Sequence, residues 1–255
     1  MQHGFPYVLV FSSLLLSLRV SPVFAMAPPF TFSQVPVVFR VLFGVGISAC
    51  LIGADPAVAT VTDIAPGHLL AAGARELMLG AIFVLAFQLM FAALYVAGRT
   101  LDIQAGFGLA LVIDPATQTE TPLIGTLFAY GAAAVFFAMN GHVELLRILR
   151  ASLEAIPLGT GVFPHSLGPL TSFISALFVA GFGVAGGAML CLFLADLAIA
   201  MLSRTAPQMN VLILGLQVKT LLILAVLPVT FGFAGAMLAR MARMTLEAAP
   251  RLISP

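Results

Sequence analysis

The chain is patterned as long, nearly unbroken apolar runs rather than as short polar–apolar alternations. Six can be read: Phe5–Ala25, Val37–Ala54, Leu77–Ala97, Leu123–Met139, Thr171–Leu202 and Val211–Ala239. A helix needs roughly 20 apolar residues to cross the hydrocarbon core of a bilayer. The fourth run is a little short of that and the last two exceed it. Val143–Ile156 is patterned differently, with Leu145, Leu146, Leu149, Leu153 and Ile156 on one side of a helix. On its polar side Glu144 and Arg147 stand three apart and Arg150 and Glu154 four apart, spacings that bring opposite charges together on a helix surface. This predicts an amphipathic helix lying against a surface or a partner, ended by Pro157, Gly159 and Gly161. Every predicted element is helical, so the expected fold is all-α: an integral membrane helical bundle of about six hydrophobic helices. No long polar linker divides the chain, and one domain over residues 1–255 is expected.

Composition fixes the solvent. With 61% hydrophobic and 8% charged residues and a mean hydropathy of +1.14, there is too little polar surface to coat a water-soluble globule of this length, and membrane lipid is an expected partner. The net charge of +1 and the lack of any dense basic run argue against nucleic acid. Cys50 and Cys191 lack metal or disulfide spacing and read as small core residues. Val23-Phe24-Ala25 resembles a signal-cleavage site, but no Lys or Arg precedes the apolar stretch and Arg19 interrupts it, so the segment is expected to remain in the mature protein. If all six runs span, Arg75, Arg147, Arg150, Arg240, Arg243 and Arg251 fall on one side and Arg99 and Arg204 on the other, which would place both termini in the cytoplasm.

The most pointed local feature is GFGLALVIDPATQTETP, Gly106–Pro122, which joins two membrane-grade stretches. Gly106 and Gly108 loosen the backbone around Phe107, while Asp114 and Pro115 forbid a simple helical continuation. Two readings follow: a movable apolar stopper, or an ordinary interhelical loop. Gly44 with Ser48, and Gly183 with Gly187, form four-residue small steps suited to close helix contact. Glu76 and Gly80 share a helix face. Arg75 and Glu76 read as a helix entrance or a subunit contact. Asp196 and Lys219 are ionisable groups within apolar runs, and a salt bridge between their helices is the structural reading, set beside a role in ion or proton movement.

No catalytic constellation emerges. His3, His68, His142 and His165 are scattered, no metal-binding spacing is present, and no serine has an evident base, so neither an enzyme nor a cofactor is expected. His142 follows Asn140-Gly141, a strong turn signal, and reads as part of a turn.

These residues resemble the family of the flagellar biosynthetic protein FliR. The resemblance rests on Arg19, Ala27-Pro28, Pro36 and Arg40, Glu76 with Gly80, Gln104-x-Gly106, Asp114-Pro115, Asn140-Gly141-His142 and Pro157-x-Gly159. Further on it includes Ala206-Pro207-Gln208-Met209-Asn210-Val211 with Gly215 and Lys219. The likeness covers nearly the whole chain; Asn-Gly-His and Pro-Gln-Met-Asn-Val are its most specific parts. Gln217 departs from it, standing where relatives commonly carry proline and putting a helix kink there in doubt. The resemblance implies an export-gate subunit of the flagellar type III apparatus, in the bacterial inner membrane at the flagellar basal body. Its helices would pack as tilted hairpins in a helical assembly with FliP-like and FliQ-like subunits, contacting an FlhB-like switch subunit while unfolded flagellar substrates pass through the centre.

The same resemblance implies a pore plug formed by Gly106, Phe107, Gly108, Leu109, Leu111, Val112, Ile113, Asp114 and Pro115. Structural or subunit-contact roles would fall to Glu76, Gly80, Asn140, Gly141, His142, Asp196, Pro207, Gln208, Asn210 and Lys219. It also implies that helices which look transmembrane are largely packed on partner subunits. An apolar constriction of this kind would exclude ions by dewetting. The competing readings are a virulence type III T-type subunit, a small-solute transporter, for which no internal repeat is found, and an intramembrane enzyme, for which no constellation is found.

Overall fold

A computed structural model describes residues 5–32, 35–55, 66–107, 122–160, 168–206, 208 and 210–253. Among them there is no strand. The elements are α1 (Phe5–Met26), a short 3-10 turn (Phe30–Phe32), α2 (Val37–Ala54), α3 (Pro66–Ala105), α4 (Leu123–Ala138), α5 (Gly141–Ala155), α6 (Gly168–Thr205) and α7 (Val211–Ile253). Five of these helices, α1, α2, α3, α6 and α7, are long and apolar enough to cross a membrane; α4 and α5, broken at Met139–Asn140, together make a sixth candidate. The protein is an all-α membrane helical bundle.

The helices overrun the apolar stretches that announce them. α3 starts at Pro66, eleven residues before Leu77, and continues past Ala97 to Ala105, giving 40 residues in all. At about 1.5 Å per residue this is on the order of 60 Å, roughly twice the hydrocarbon thickness. The extension has a local cause: Leu69, Leu70, Ala71, Ala72 and Ala74 are good helix formers, and Pro66 stands at the first position, where its missing N–H costs nothing. Glu76 therefore lies three turns inside a helix and not at its entrance. α7 likewise runs unbroken through Gln217 for 43 residues.

Contacts divide the chain into two compact units, each discontinuous in sequence. The first comprises Met1–Leu89, Asn140–Phe173 and Arg243–Pro255; the second comprises Met90–Met139 and Ile174–Ala242. α3, α6 and α7 each give residues to both, so no linker in the sequence announces the division.

In the first unit α1 and α2 meet through a stripe of small groups. A methyl group at Gly44 would lie 2.6 Å from the Ser21 backbone, Ser48 donates to the Gly44 carbonyl at 2.8 Å, and Ile52 completes the buried face of α2. The rest of α2 is bare, with Val38, Phe39, Leu42 and Phe43 exposed. Cys50 is exposed as well and Cys191 only partly covered, which corrects the expectation of two core residues. Among the described residues the buried face of α2 is the Gly44, Ser48 and Ile52 stripe, and Cys50 lies off it. α5 forms as the pattern predicts: Leu145, Leu149 and Leu153 are buried, and the Glu144–Arg147 and Arg150–Glu154 pairs form at 3.1 and 3.8 Å on its exposed side.

In the second unit Phe91, Leu94, Leu101, Ile124, Phe128 and Leu192 are buried, with Phe128 edge-on to Phe231 at 5.5 Å between ring centroids. The expected Gly183/Gly187 step is only half realised. A methyl group at Gly183 would touch the end of Met237 at 2.9 Å, but one at Gly187 would meet nothing within 4 Å. The close backbone approach on α6 is made instead by Gly181, whose absent side chain leaves room for the Ala93 carbonyl.

Candidate functional site

The end of α3 is built to stop the helix and turn the chain. Gly106 adopts φ +88°, the left-handed conformation that glycine takes without strain. Its N–H donates to the Ile103 carbonyl at 3.1 Å, and the Phe107 N–H donates to the Asp102 carbonyl at 2.9 Å. This pair of bonds is a Schellman cap, which satisfies two carbonyls that a helix end otherwise leaves bare. Leu216 of α7 sits where a side chain on Gly106 would be. Gly106 thus fixes the exit of α3. Of the expected plug, Gly106 and Phe107 are partly exposed; Gly108, Leu109, Leu111, Val112, Ile113, Asp114 and Pro115 lie outside the described residues.

The chain re-enters helix at α4, close to where it left. Pro122, at the N-cap of α4, has no side-chain bond to the exposed N–H groups behind it. Asp102 supplies one: it is 6% exposed, and its two carboxylate oxygens lie 3.2 and 3.3 Å from the Ile124 N–H. A carboxylate is well placed there, because the first turn of a helix presents unpaired donors and the positive end of its dipole. The approach is possible because α3 and α4 touch at glycines, where a methyl group on Gly98 would overlap the backbone of Gly125.

A second polar centre lies in the first unit. Arg19 and Glu76 are both 0% exposed and form a two-pronged ion pair, Nε to Oε2 at 2.6 Å and Nη2 to Oε1 at 3.0 Å. The remaining Arg19 donors reach the Ser152 carbonyl at 3.0 Å, the Ser152 hydroxyl at 3.1 Å and the Ile156 carbonyl at 3.1 Å. Glu76 Oε1 also accepts from the Gly159 N–H at 2.8 Å, and the Gly159 carbonyl accepts from Arg75 at 2.8 Å. Gly159 has φ +77°. Gly80, one turn beyond Glu76, lets α1 come close: a methyl group there would stand 2.7 Å from the Arg19 carbonyl oxygen. Glu76 is thus satisfied within its own chain.

The other expected residues are placed as follows. Asn140 takes a left-handed φ of 57° and offers its carbonyl to Val143 at 2.9 Å and Glu144 at 3.2 Å, starting α5 immediately after α4 ends. Gly141 is buried and His142 partly so. Asp196 of α6 and Lys219 of α7 form an ion pair, with side chains 46% and 22% exposed. Asn210 caps α7, its side-chain oxygen accepting from Ile213 at 3.4 Å. Gln208 is exposed, and Pro207 lies outside the described residues.

Sequence reasoning marked Arg19 as an interruption of its apolar run and as part of the family resemblance, and did not single out Asp102. A signal existed for both: a charge within an apolar run must find a partner inside the protein. Among the described residues, no three His, Cys, Asp or Glu side chains gather as a group able to hold a metal.

These features define a class: an all-α membrane protein whose buried charges are consumed in holding its own helices, and whose α2 and α7 leave wide apolar faces uncovered. The family model for bacterial export proteins, family 1, matches residues 10–245, and the chain belongs to that family. It is 30% identical to the flagellar biosynthetic protein FliR of Bacillus subtilis (strain 168) over 94% of each chain. With the FliR of Escherichia coli (strain K12) it shares 27% over 62% of its own length and 63% of the relative's. The secretion system apparatus protein SsaT of Salmonella typhimurium is 31% identical over 56% of each.

Proposed function

We propose that this chain is a structural subunit of the flagellar type III protein export gate in the bacterial inner membrane, at the flagellar basal body. On this reading it assembles with FliP-like and FliQ-like subunits, meets an FlhB-like switch subunit, and helps form the conduit for unfolded flagellar proteins without catalysing a reaction. The observation that carries this is the match to a flagellar FliR along 94% of both chains, against 56% for the virulence relative SsaT. The family match from residue 10 to 245 supports treating both compact units as parts of one export-gate domain.

The apolar segment following Gly106 is the sealing element of the closed conduit. Phe107, Leu109, Leu111, Val112 and Ile113 would dewet a narrow passage and block ions, while an arriving polypeptide displaces them. The glycine cap at Gly106 and the clamp at Asp102 support this, since they set the start and the end of the segment near each other in one unit. The exposed apolar surface of α2 and α7, including Phe39, Phe43, Leu221 and Phe233, fits a protein completed by partner subunits and lipid. Deleting residues 108–113 tests the stopper reading. The variant should copurify with its neighbours and make liposomes leaky to ions; an assembled variant with unchanged ion permeability overturns it.

A further inference from the structure

We propose that the bare face of α2 is a phospholipid site, in which Arg40 holds the phosphate of an anionic headgroup and the acyl chains lie along Phe39, Phe43, Gly46 and Cys50. This goes beyond the gate reading and does not depend on the stopper; it requires only that the chain sits in a bilayer.

Arg40 supplies the head of the site. Its Nη1 donates to the Ala25 carbonyl at 2.8 Å, which turns the guanidinium toward the end of α1. A carbonyl is not a counter-ion. Among the described residues no carboxylate pairs with Arg40, and its buried Nε has no acceptor. The charge also stands in the first turn of α2, where no side chain caps the free N–H groups and the helix dipole already favours an anion. Two sources of positive potential add at one spot, and a guanidinium with idle donors matches the oxygens of a phosphate.

Below Arg40 the surface is apolar and of bilayer length. α2 has 18 residues, about 27 Å at roughly 1.5 Å each, against roughly 30 Å of hydrocarbon. Its buried stripe is Gly44, Ser48 and Ile52. Phe39, Phe43, Gly46 and Cys50 recur at helical spacing on the opposite face, and all four are exposed. Between Arg40 and Asp55 there is no charge, and the one hydroxyl, on Ser48, is turned inward to the Gly44 carbonyl. A methyl group on Gly46 or Gly53 would meet nothing within 4 Å, so the two rings near Arg40 give way to an open track that a flexible chain can follow. α7 is bare as well, but exposed Gln217 and the Lys219–Asp196 pair interrupt it. An uncompensated cation above an uninterrupted apolar track fits a phospholipid, whereas a partner helix has no need of the cation.

The two ends of the hairpin agree. α1 runs antiparallel to α2, since Ser21 meets Gly44 and Ala25 meets Arg40. At the Arg40 end Gln88 donates to the Met26 carbonyl at 3.3 Å, a second polar group at that level. At the other end Asp55 follows α2, and exposed Tyr7 stands near the start of α1, as suits an aromatic ring with a hydroxyl at a membrane interface.

The experiment uses the chain copurified with its partner subunits, with every cysteine of the assembly except Cys50 replaced and a small fluorophore attached there. It is reconstituted in mixed phosphatidylcholine and phosphatidylglycerol vesicles in which one lipid at a time carries brominated acyl chains, which quench a fluorophore they touch. Both lipids should quench, brominated phosphatidylglycerol about fivefold more effectively, the ratio that one arginine at an anionic headgroup produces. Arg40→Gln should keep the quenching and lose the preference, and Arg40→Lys should regain it. A fluorophore that neither lipid quenches places a partner subunit on α2 and overturns the proposal. A preference that survives Arg40→Gln overturns it too. Equal quenching by the two lipids with Arg40 in place also overturns it, and this comparison decides even if Arg40→Gln fails to assemble. If inorganic phosphate added at constant ionic strength abolishes the preference, the ligand is a free anion and the lipid assignment fails.

Discussion

Arg19 and Glu76, 57 positions apart, bind one another through two parallel hydrogen bonds with neither side chain exposed. All the remaining donors of Arg19 are taken by Ser152 and Ile156, and Glu76 holds the Gly159 N–H as well. Two charges that hydrocarbon cannot solvate are neutralised by tying α1, α3 and the end of α5 into one polar knot.

Removing one partner leaves the other buried and uncompensated. Glu76→Ala and Arg19→Ala should each cost about 3–5 kcal/mol, read as a fall in the unfolding midpoint of the purified chain in mild detergent. The double variant Arg19→Met/Glu76→Leu should cost less than either single alanine, because no charge remains to be stranded. Strictly additive losses among Arg19→Met, Glu76→Leu and their double variant would show that the two residues act independently.

What could be read from sequence divides along the range of the interactions. The membrane helices were legible because hydropathy is a local sum, and the Glu144–Arg147 pair because its partners share one helical turn. The helix ends were not. Pro66–Glu76 is only moderately apolar but rich in Ala and Leu, so the helix runs where the apolar run does not. Arg19 and Asp102 were visible as charges in apolar surroundings, yet their partners stand 57 and 22 positions away, beyond any periodicity. Gly106 was read as loosening the chain, with the break assigned to Asp114 and Pro115; its left-handed φ and two cap bonds make it a fixed stop. Cys50 was placed in the core because its neighbours are apolar, and in a membrane subunit apolar neighbours do not imply a buried face.

The glycines sort into contact-making and open positions, and the two should respond oppositely to alanine. At Gly98 a methyl group would enter the Gly125 backbone; separating α3 from α4 should cost about 1–3 kcal/mol. At Gly187 it would meet nothing within 4 Å, so Gly187→Ala should leave the isolated chain unchanged or raise its stability by about 0.5–1 kcal/mol through helix propensity. Thermal unfolding of the two variants side by side checks the contrast. If Gly187→Ala instead reduces copurification with partners while the isolated chain is unharmed, that face of α6 is a subunit contact.

Asn210→Ala removes the side-chain oxygen that accepts from Ile213 and should free the first turn of α7. The expected loss is about 1 kcal/mol, modest because Asn210 is exposed and water can replace the bond. Amide exchange at Ile213 and Leu214 should accelerate while the middle of α7 keeps its protection. Unchanged exchange at Ile213 would show that the backbone bond from Leu214 to the Asn210 carbonyl, 3.1 Å long, starts the helix without the side chain.

Asp196 and Lys219 present the opposite balance to Arg19 and Glu76. Their pair joins α6 to α7 but is half open, with Asp196 46% and Lys219 22% exposed in the single chain. An ion pair so placed contributes no more than about 1 kcal/mol, so reversing either charge should scarcely move the unfolding midpoint of the isolated protein. Its weight falls on assembly, because a partner helix or lipid covering this face would strip away the water that solvates an unpaired charge there. Asp196→Lys and Lys219→Asp should therefore each reduce recovery of the multi-subunit gate, and the exchanged pair Asp196→Lys/Lys219→Asp should restore much of it. Normal copurification in the single variants, accompanied by lost export of flagellar substrates, would contradict this and give the pair a part in transport itself.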